Sequence, residues 1–162
     1  MTHIGKCLTA KGVKPIVKYQ HAFQNTYLYG SFSPINGDSF VYEIQGTTSE
    51  IFYQYLMAFS KHKPEEHKII VIDNAGFHSM KKFKLPENIT LVRIPPYTPE
   101  LNPSEKIWQY IKQFYKNKVF ESIEMVKLWL ENFVNNYLNC DNIMSITHNK
   151  FYVKTFTDHF EM

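Results

Sequence analysis

The chain has 162 residues, of which 44% are hydrophobic and 16% aromatic, so it is long enough to bury a core and too apolar to be disordered. Its formal net charge of +3 is compatible with nucleic acid binding but does not establish it. No apolar run approaches the roughly 20 residues that span a bilayer, and the N-terminus lacks the apolar stretch of a signal peptide. Cys7 and Cys140 form no local metal motif, which fits a reducing compartment. We therefore expect a cytoplasmic protein with no membrane partner.

The first third of the chain predicts an antiparallel meander. Residues 1–14 are polar, contain two glycines and are interpreted as an irregular lead-in. Further along, Asn36-Gly37 is a strong hairpin-turn signal. Residues 15–45 are therefore predicted to hold three short strands, Pro15–Tyr19, Thr26–Phe32 and Ser39–Ile44.

The middle of the chain predicts a helix and then a buried strand. Thr47 and Glu50 have capping-box spacing ahead of an apolar helical stripe. The continuous apolar run of Lys68–Ile72 is typical of a strand covered on both faces, and Asp73 follows at its C-terminal end. Residues 77–84 are predicted to form a short basic helix.

A further strand is predicted at residues 89–94, after which prolines stiffen the loop. Asn102 is a good N-cap for the next helix, and Pro103 fits its first position. Another helix begins near Ser122, and residues 139–162 are predicted to form one short helix and a tail. This order of strands and helices, with no repeat or linker, predicts a single α/β domain over residues 1–162 with a mixed sheet.

Two carboxylates in this pattern suggest chemistry. Asp73 closes a strand, and ligands gather at the carboxyl ends of strands in open α/β sheets. Glu105 lies in a first helical turn that could face the same edge. Mg²⁺ commonly takes one or two carboxylates plus substrate phosphates, so such a pair would suit two-metal phosphoryl transfer.

Each carboxylate also has a purely structural interpretation. Asp73 could be an Asx-type turn residue at a strand end. Asn102-Pro103-Ser104-Glu105 is an acceptable capping box, and a capping glutamate needs no metal. Taken singly, each residue favours the structural interpretation, so the combined pattern has to decide.

That combined pattern consists of two sequence blocks. Val71–His78 (VIDNAGFH) and Pro95–Trp108 (PPYTPELNPSEKIW) closely resemble the DDE transposases of bacterial insertion sequences in the mariner-related group. The resemblance covers roughly residues 5–138 and includes Lys11–Lys18, Thr26–Gly30 and Val119–Ser122. It implies an RNase H-like fold, Mg²⁺ or Mn²⁺ as cofactor, and cleavage and transfer of DNA strands at transposon ends.

The resemblance also assigns site residues. Asp73 matches the second catalytic aspartate of the family and Glu105 its third acidic residue, and both would be metal ligands. Five further residues match motif positions near the site: Asn74, Gly76, His78, Tyr97 and Asn102.

The first catalytic aspartate of the family has no counterpart. The resemblance places it on a first strand, before the segment that matches Gly5–Lys18, where this chain has no acidic residue. The acidic residues before Asp73 are Asp38, Glu43, Glu50, Glu65 and Glu66, and none stands at that position. The family's N-terminal helix-turn-helix part is absent too. We therefore expect a truncated catalytic core that is weakly active or inactive alone.

The missing first strand would be a central one in an RNase H-like sheet. Without it, two strand edges lack partners, which is a costly and association-prone arrangement. We therefore expect residues 1–10, or a second copy of the chain in a homodimer, to fill the gap.

Basic and aromatic residues near the two blocks are candidates for DNA contact. Arg93 is the only arginine, so phosphate contacts would come mostly from lysines. Clusters of lysines usually form no more than solvated surface. The two lysine clusters of this chain, however, follow Asp73 and Glu105 and are interpreted as DNA-binding. Trp108 could stack on a base, although its place in an apolar stripe favours core packing. The clustered lysines are Lys81, Lys82 and Lys84, and Lys112, Lys116 and Lys118.

Two alternatives to a transposase core stay open. One is a non-catalytic DNA-binding or assembly fragment of a decayed element, which would keep the basic surface and lose the metal chemistry. The other is a different RNase H-like nuclease, such as a resolvase. Whether the isolated chain is an enzyme is undecided by the sequence.

Overall fold

The computed structural model describes residues 11, 25–148, 152–154 and 158. Two 3₁₀ helices, Gly76–His78 and Pro99–Leu101, lie in loops between the main elements. The predicted strand at Pro15–Tyr19 lies outside the described residues, as does the lead-in apart from Lys11. In chain order the main elements are β1 (Tyr27–Phe32), β2 (Ser39–Ile44), α1 (Ser49–Lys61), β3 (Lys68–Ile72), β4 (Ile89–Arg93), α2 (Pro103–Tyr115), α3 (Ile123–Tyr137) and α4 (Cys140–Thr147).

The four strands form two separate pairs. β1 and β2 are antiparallel around a turn in which Gly37 has φ +71°. β3 and β4 are parallel, with Lys68 opposite Ile89 and Ile72 opposite Arg93. Within the part of the chain that the structure describes, no strand joins the two pairs. The segment 1–10 that we expected to fill this gap lies outside that part. The prediction of an α/β protein is confirmed, whereas the described strands form two separate two-stranded sheets, so the single mixed sheet stays a prediction.

One hydrophobic core lies between α1 and the β3–β4 pair. Its buried members include Leu56 from α1 and Ile72 and Ile89 from the strands. The helix is capped by Thr48, whose Oγ1 accepts a hydrogen bond from the Ile51 backbone N–H at 3.3 Å. The predicted cap at Thr47 is therefore wrong by one residue, because it is Thr48 that has the extended backbone of an N-cap.

A second core joins α2, α3 and α4 to β1. Ile107 and Ile143 have no solvent exposure, and Phe32 of β1 packs against the same cluster. The Trp108 ring lies edge-on to Phe32 with the ring centroids 5.5 Å apart. The predicted core role of Trp108 is confirmed, as is the short helix within residues 139–162, which is α4. Residues 152–154 and Asp158 are also helical, so the part of the chain after α4 is not the plain tail that we predicted.

The basic helix predicted at residues 77–84 is wrong. The helical segment ends at His78, and a turn with the Phe83 N–H bonded to the Met80 carbonyl follows. The His78 carbonyl accepts a hydrogen bond from Arg93 Nη2 at 2.6 Å. In an α-helix over residues 77–84 that oxygen would accept the Lys82 N–H, so the contact from Arg93 competes with the predicted helix.

No helix in the described ranges has the length and apolar character needed to cross a bilayer.

Candidate functional site

An open cleft of about 350 Å³ lies at the carboxyl ends of the parallel strands β3 and β4. Its walls are the loop that follows β3, the proline-rich loop that follows β4, and the start of α2. Both catalytic candidates, Asp73 and Glu105, line this cleft. So do three of the five near-site candidates, Asn74, Tyr97 and Asn102.

The remaining candidates do not line the cleft. Gly76 and His78 lie in the loop after β3, behind the wall that Asp73 and Asn74 form. The lysines predicted to bind DNA are exposed, but they lie outside the lining residues: Lys81, Lys82, Lys84, Lys112, Lys116 and Lys118.

The side chain of Asp73 is held through one of its oxygens. Oδ1 accepts the backbone N–H of Ala75 at 3.0 Å, which makes the Asx-type turn. The same Oδ1 lies 2.7 Å from Nδ1 of His78. Among the described residues no hydrogen bond uses Oδ2, and half of the carboxyl side chain is exposed. The structural and functional interpretations of Asp73 are therefore compatible, because they use different oxygens.

His78 orients Asp73 from a buried position. Its side chain is 13% exposed and packs between the rings of Phe52 and Phe77, at centroid distances of 4.5 Å and 4.3 Å. This burial lowers the pKa of His78, and the nearby Asp73 carboxylate opposes the shift without cancelling it. Because a carboxylate only accepts hydrogen bonds, Nδ1 carries the proton in this contact.

Arg93 clamps the loop that carries Asp73. Its guanidinium donates to the Asp73 carbonyl at 3.3 Å and to the His78 carbonyl at 2.6 Å. The sequence pattern marked Arg93 only as the single arginine of the chain and did not indicate this role. The available signal was its place as the last residue of β4, which the parallel register sets opposite Ile72.

A second tie joins the two walls of the cleft. Asn74 Nδ2 donates to the Ile94 carbonyl at 2.7 Å, and the Ile94 N–H donates to the Ile72 carbonyl at 3.0 Å. These bonds extend the pairing of β3 and β4 beyond their ends. The predicted near-site residue Asn74 therefore fixes the proline-rich loop relative to Asp73.

The proline-rich loop is stiff and presents Tyr97. The hydroxyl of Thr98 donates to the Pro95 carbonyl at 2.7 Å across the turn. Tyr97 adopts φ +62°, a left-handed conformation, and its side chain is fully exposed.

Glu105 is free of the cap that its sequence position suggested. Asn102 caps α2 by accepting the Ser104 N–H on Oδ1 at 3.1 Å. In a capping box the glutamate would bind the N-cap N–H, but the Asn102 N–H donates to the Pro99 carbonyl at 2.9 Å. No described residue forms a hydrogen bond or ion pair with the Glu105 carboxylate. The capping-box interpretation of Glu105 is wrong, and its carboxylate lines the cleft instead.

The donor set of the cleft fits a hard divalent cation. Asp73 and Glu105 supply carboxylate oxygens and no sulfur or imidazole nitrogen. The described ranges contain no cluster of three or more His, Cys, Asp and Glu side chains that could hold a metal. The described residues thus supply two carboxylates to the site, a number that Mg²⁺ accepts when phosphates and waters complete its coordination.

None of the five acidic residues before Asp73 lines the cleft, and two of them form ion pairs elsewhere. Asp38 forms an ion pair with Lys63 at 2.7 Å, and Glu43 forms one with Lys127 at 2.8 Å. Neither lines the cleft.

Comparisons with known proteins place this geometry in a family. No solved structure matches the chain significantly. It is 30% identical over 100 residues to a protein of Sinorhizobium fredii named uncharacterized protein y4pE/y4sA, an alignment that covers 60% of this chain and 74% of that protein. The sequence model of the DDE superfamily endonucleases matches residues 2–127, which include the whole cleft. The chain therefore belongs to the DDE superfamily endonuclease family.

Proposed function

We propose that the chain is the metal-dependent catalytic core of an insertion-sequence transposase, which cleaves and transfers DNA strands at transposon ends. One observation carries the proposal: Asp73 and Glu105, from two distant sequence blocks, line the same cleft. The Asx-type turn uses only one oxygen of Asp73, and Glu105 does not form the capping box, so both carboxylates keep oxygens for a ligand. Membership in the DDE superfamily endonucleases supports a nuclease activity at this cleft.

The proposed fold is RNase H-like, with residues 1–162 as one domain. The antiparallel and parallel strand pairs would be the two flanks of one mixed sheet. A central strand between them would come from a segment outside the described residues or from a second copy of the chain. If a second copy supplies the central strand, the two copies depend on each other and the protein is a homodimer.

Asp73 Oδ2 and the Glu105 carboxylate would hold Mg²⁺ or Mn²⁺. When bound, the metal ions would activate a water or a 3′-hydroxyl and stabilise the leaving oxygen. His78 and Arg93 keep Asp73 in place, and Asn102 sets the start of α2 so that Glu105 lines the cleft. The exposed lysines on either side would bind the DNA backbone as point charges.

A third acidic ligand would be needed for full activity. Asp38 and Glu43 are engaged away from the cleft, so such a ligand would come from outside the described residues or from a partner copy. The isolated chain would accordingly be weakly active or inactive in strand transfer.

Metal binding tests this proposal. Mn²⁺ titration of the full chain, followed by the EPR signal of free Mn²⁺, is compared with titrations of Asp73→Asn and Glu105→Gln. Each substitution keeps the side-chain size and removes the charge, so each should weaken binding by at least about tenfold. Glu43→Gln is the matched control and should bind as the unmodified chain does. Mn²⁺ binding that survives both cleft substitutions would refute the proposal.

A second candidate is a non-catalytic DNA-binding or assembly module. The observation in its favour is that the described residues supply only two acidic groups to the cleft. DNA binding that is unaffected by Asp73→Asn and Glu105→Gln, together with no measurable Mn²⁺ site, would favour this module over the enzyme.

A further inference from the structure

Tyr97 is exposed to an extent that folding does not explain. Its side chain is 100% exposed, whereas the next most exposed aromatic residue in the described ranges, Tyr42, is 52% exposed. An aromatic ring wholly in water contributes nothing to the core. The ring does lie at the mouth of a cleft that also contains Asp73 and Glu105.

The backbone holds the ring outward at a cost. Tyr97 has φ +62°, a conformation that residues with a Cβ atom rarely adopt. Pro96 precedes it, and the Thr98 hydroxyl closes the turn onto the Pro95 carbonyl at 2.7 Å. The loop is therefore already ordered, so little conformational entropy is lost when a ligand contacts the ring.

The other aromatic candidate for a base contact is unavailable to DNA. The Trp108 ring packs against Phe32 in the core formed by α2, α3 and α4. Tyr97 is thus the aromatic ring that the described structure offers to a ligand in the cleft.

The chemistry of an exposed ring beside a phosphate site identifies the ligand. Aromatic side chains stack on nucleic acid bases, and they do so with little regard to sequence. Bases inside a duplex are already stacked on each other, so only an unpaired base can offer its face. We propose that Tyr97 is a stacking platform for an unpaired base next to the phosphate that metal ions held by Asp73 and Glu105 would bind. The substrate would then carry a frayed or single-stranded nucleotide at the cleft, an inference that rests on the proposed function for the position of the phosphate.

The experiment measures binding of the full chain to two fluorescein-labelled probes by fluorescence anisotropy, in EDTA. One probe is a blunt duplex, and the other is the same duplex with a four-nucleotide single-stranded thymidine tail. Tyr97→Asn removes the ring but suits the left-handed backbone, and it should weaken binding to the tailed probe by about 5- to 100-fold. Binding to the blunt duplex should change by less than about twofold, because no free base face is lost.

Two further variants isolate the ring. Tyr97→Phe keeps the stacking surface and should bind the tailed probe as the unmodified chain does. Tyr42→Ala removes an exposed ring of β2, away from the cleft, and should leave both probes unaffected. Thermal unfolding of Tyr97→Asn should show no loss of stability, which separates the loss of the ring from a loss of fold.

Equal binding of the tailed probe by Tyr97→Asn and the unmodified chain would overturn the inference, as would an unmodified chain that does not prefer the tailed probe. Asp73→Asn makes its failure distinguishable from failure of the proposed function. In EDTA the anisotropy measurements report the ring contact without metal, whereas the Mn²⁺ titration of this variant reports the metal site separately.

Discussion

Nδ1 of His78 lies 2.7 Å from Oδ1 of Asp73, and the same oxygen accepts the Ala75 N–H. One carboxylate oxygen is therefore used to orient the group, while the other is left for the cleft. A buried residue that orients a metal ligand typically affects affinity almost as strongly as the ligand itself.

His78→Ala should weaken Mn²⁺ binding by about 10- to 100-fold, because Asp73 loses the partner that fixes its side chain. Titration with Mn²⁺ measures the effect, and circular dichroism checks that the variant folds. His67→Ala is the control, since His67 is exposed and its ring contacts Thr90 instead. A folded His78→Ala protein with unchanged Mn²⁺ affinity would contradict the positioning role.

Gly37→Ala should destabilise the protein strongly. A Cβ atom at Gly37 would lie 2.2 Å from the Cys140 carbonyl oxygen, and the residue has φ +71°. The backbone conformation alone should cost about 1–3 kcal/mol of unfolding free energy, and the overlap with α4 adds to this.

Gly76→Ala is the matched control for that substitution. A Cβ atom at Gly76 would meet no atom within 4 Å, so the unfolding free energy should stay within about 0.5 kcal/mol of the original. Urea unfolding followed by tryptophan fluorescence measures both variants. Similar urea midpoints for Gly37→Ala and Gly76→Ala would show that the contact between the β1–β2 turn and α4 is not rigid.

Ile107→Ala should lower the free energy of unfolding by about 2–5 kcal/mol, because the side chain is fully buried in the core beneath α2. Ile107→Val removes a single methylene and should cost about 0.5–1.5 kcal/mol. Leu128→Ala alters a side chain that is 58% exposed. Its loss of unfolding free energy should therefore be much smaller than that of either Ile107 substitution. A loss for Leu128→Ala as large as that for Ile107→Ala would contradict the packing described for α2 and α3.

The ion pair between Glu43 and Lys127 should make stability depend on pH. The hydrogen bond from Lys127 lowers the pKa of Glu43 in the folded protein, and the Thr26 hydroxyl contributes in the same direction. A lowered pKa stabilises the fold above the unfolded pKa of glutamate, about 4.3, and this contribution is lost as the pH falls through the folded pKa.

Lys127→Met should therefore raise the pKa of Glu43 towards its ordinary value, which NMR titration of the carboxyl carbon measures. Because both side chains are about one-third exposed, the loss of stability at pH 7 should stay below about 1 kcal/mol. The two proteins should converge in stability at pH values below the folded pKa of Glu43. In a Glu43→Gln background Lys127→Met should have a smaller effect, and an equal effect there would exclude this pair as the cause.

Local patterns predicted most of the described elements. The strands Ser39–Ile44 and Lys68–Ile72 have the bounds that the hairpin-turn signal and the continuous apolar run indicated. Asn102 caps α2 as expected, and Pro103 takes its first position. These features depend on side-chain period and on hydrogen bonds within a few residues, which a single sequence displays directly.

The sequence by itself determined strands β2 and β3, the starts of α2 and α3, the two motif blocks and the identity of the two carboxylates. Only the tertiary structure decided how those residues are used. The parallel register sets Arg93 opposite Ile72, so Arg93 can bond the His78 carbonyl and clamp the loop of Asp73. The Pro99 carbonyl in the proline-rich loop accepts the Asn102 N–H, so Glu105 does not bond that N–H and lines the cleft. The first outcome depends on a contact between segments that local spacing does not bring together and that meet only when β3 and β4 pair. The second depends on the local 3₁₀ turn Pro99–Leu101, which the capping-box spacing of the sequence did not reveal.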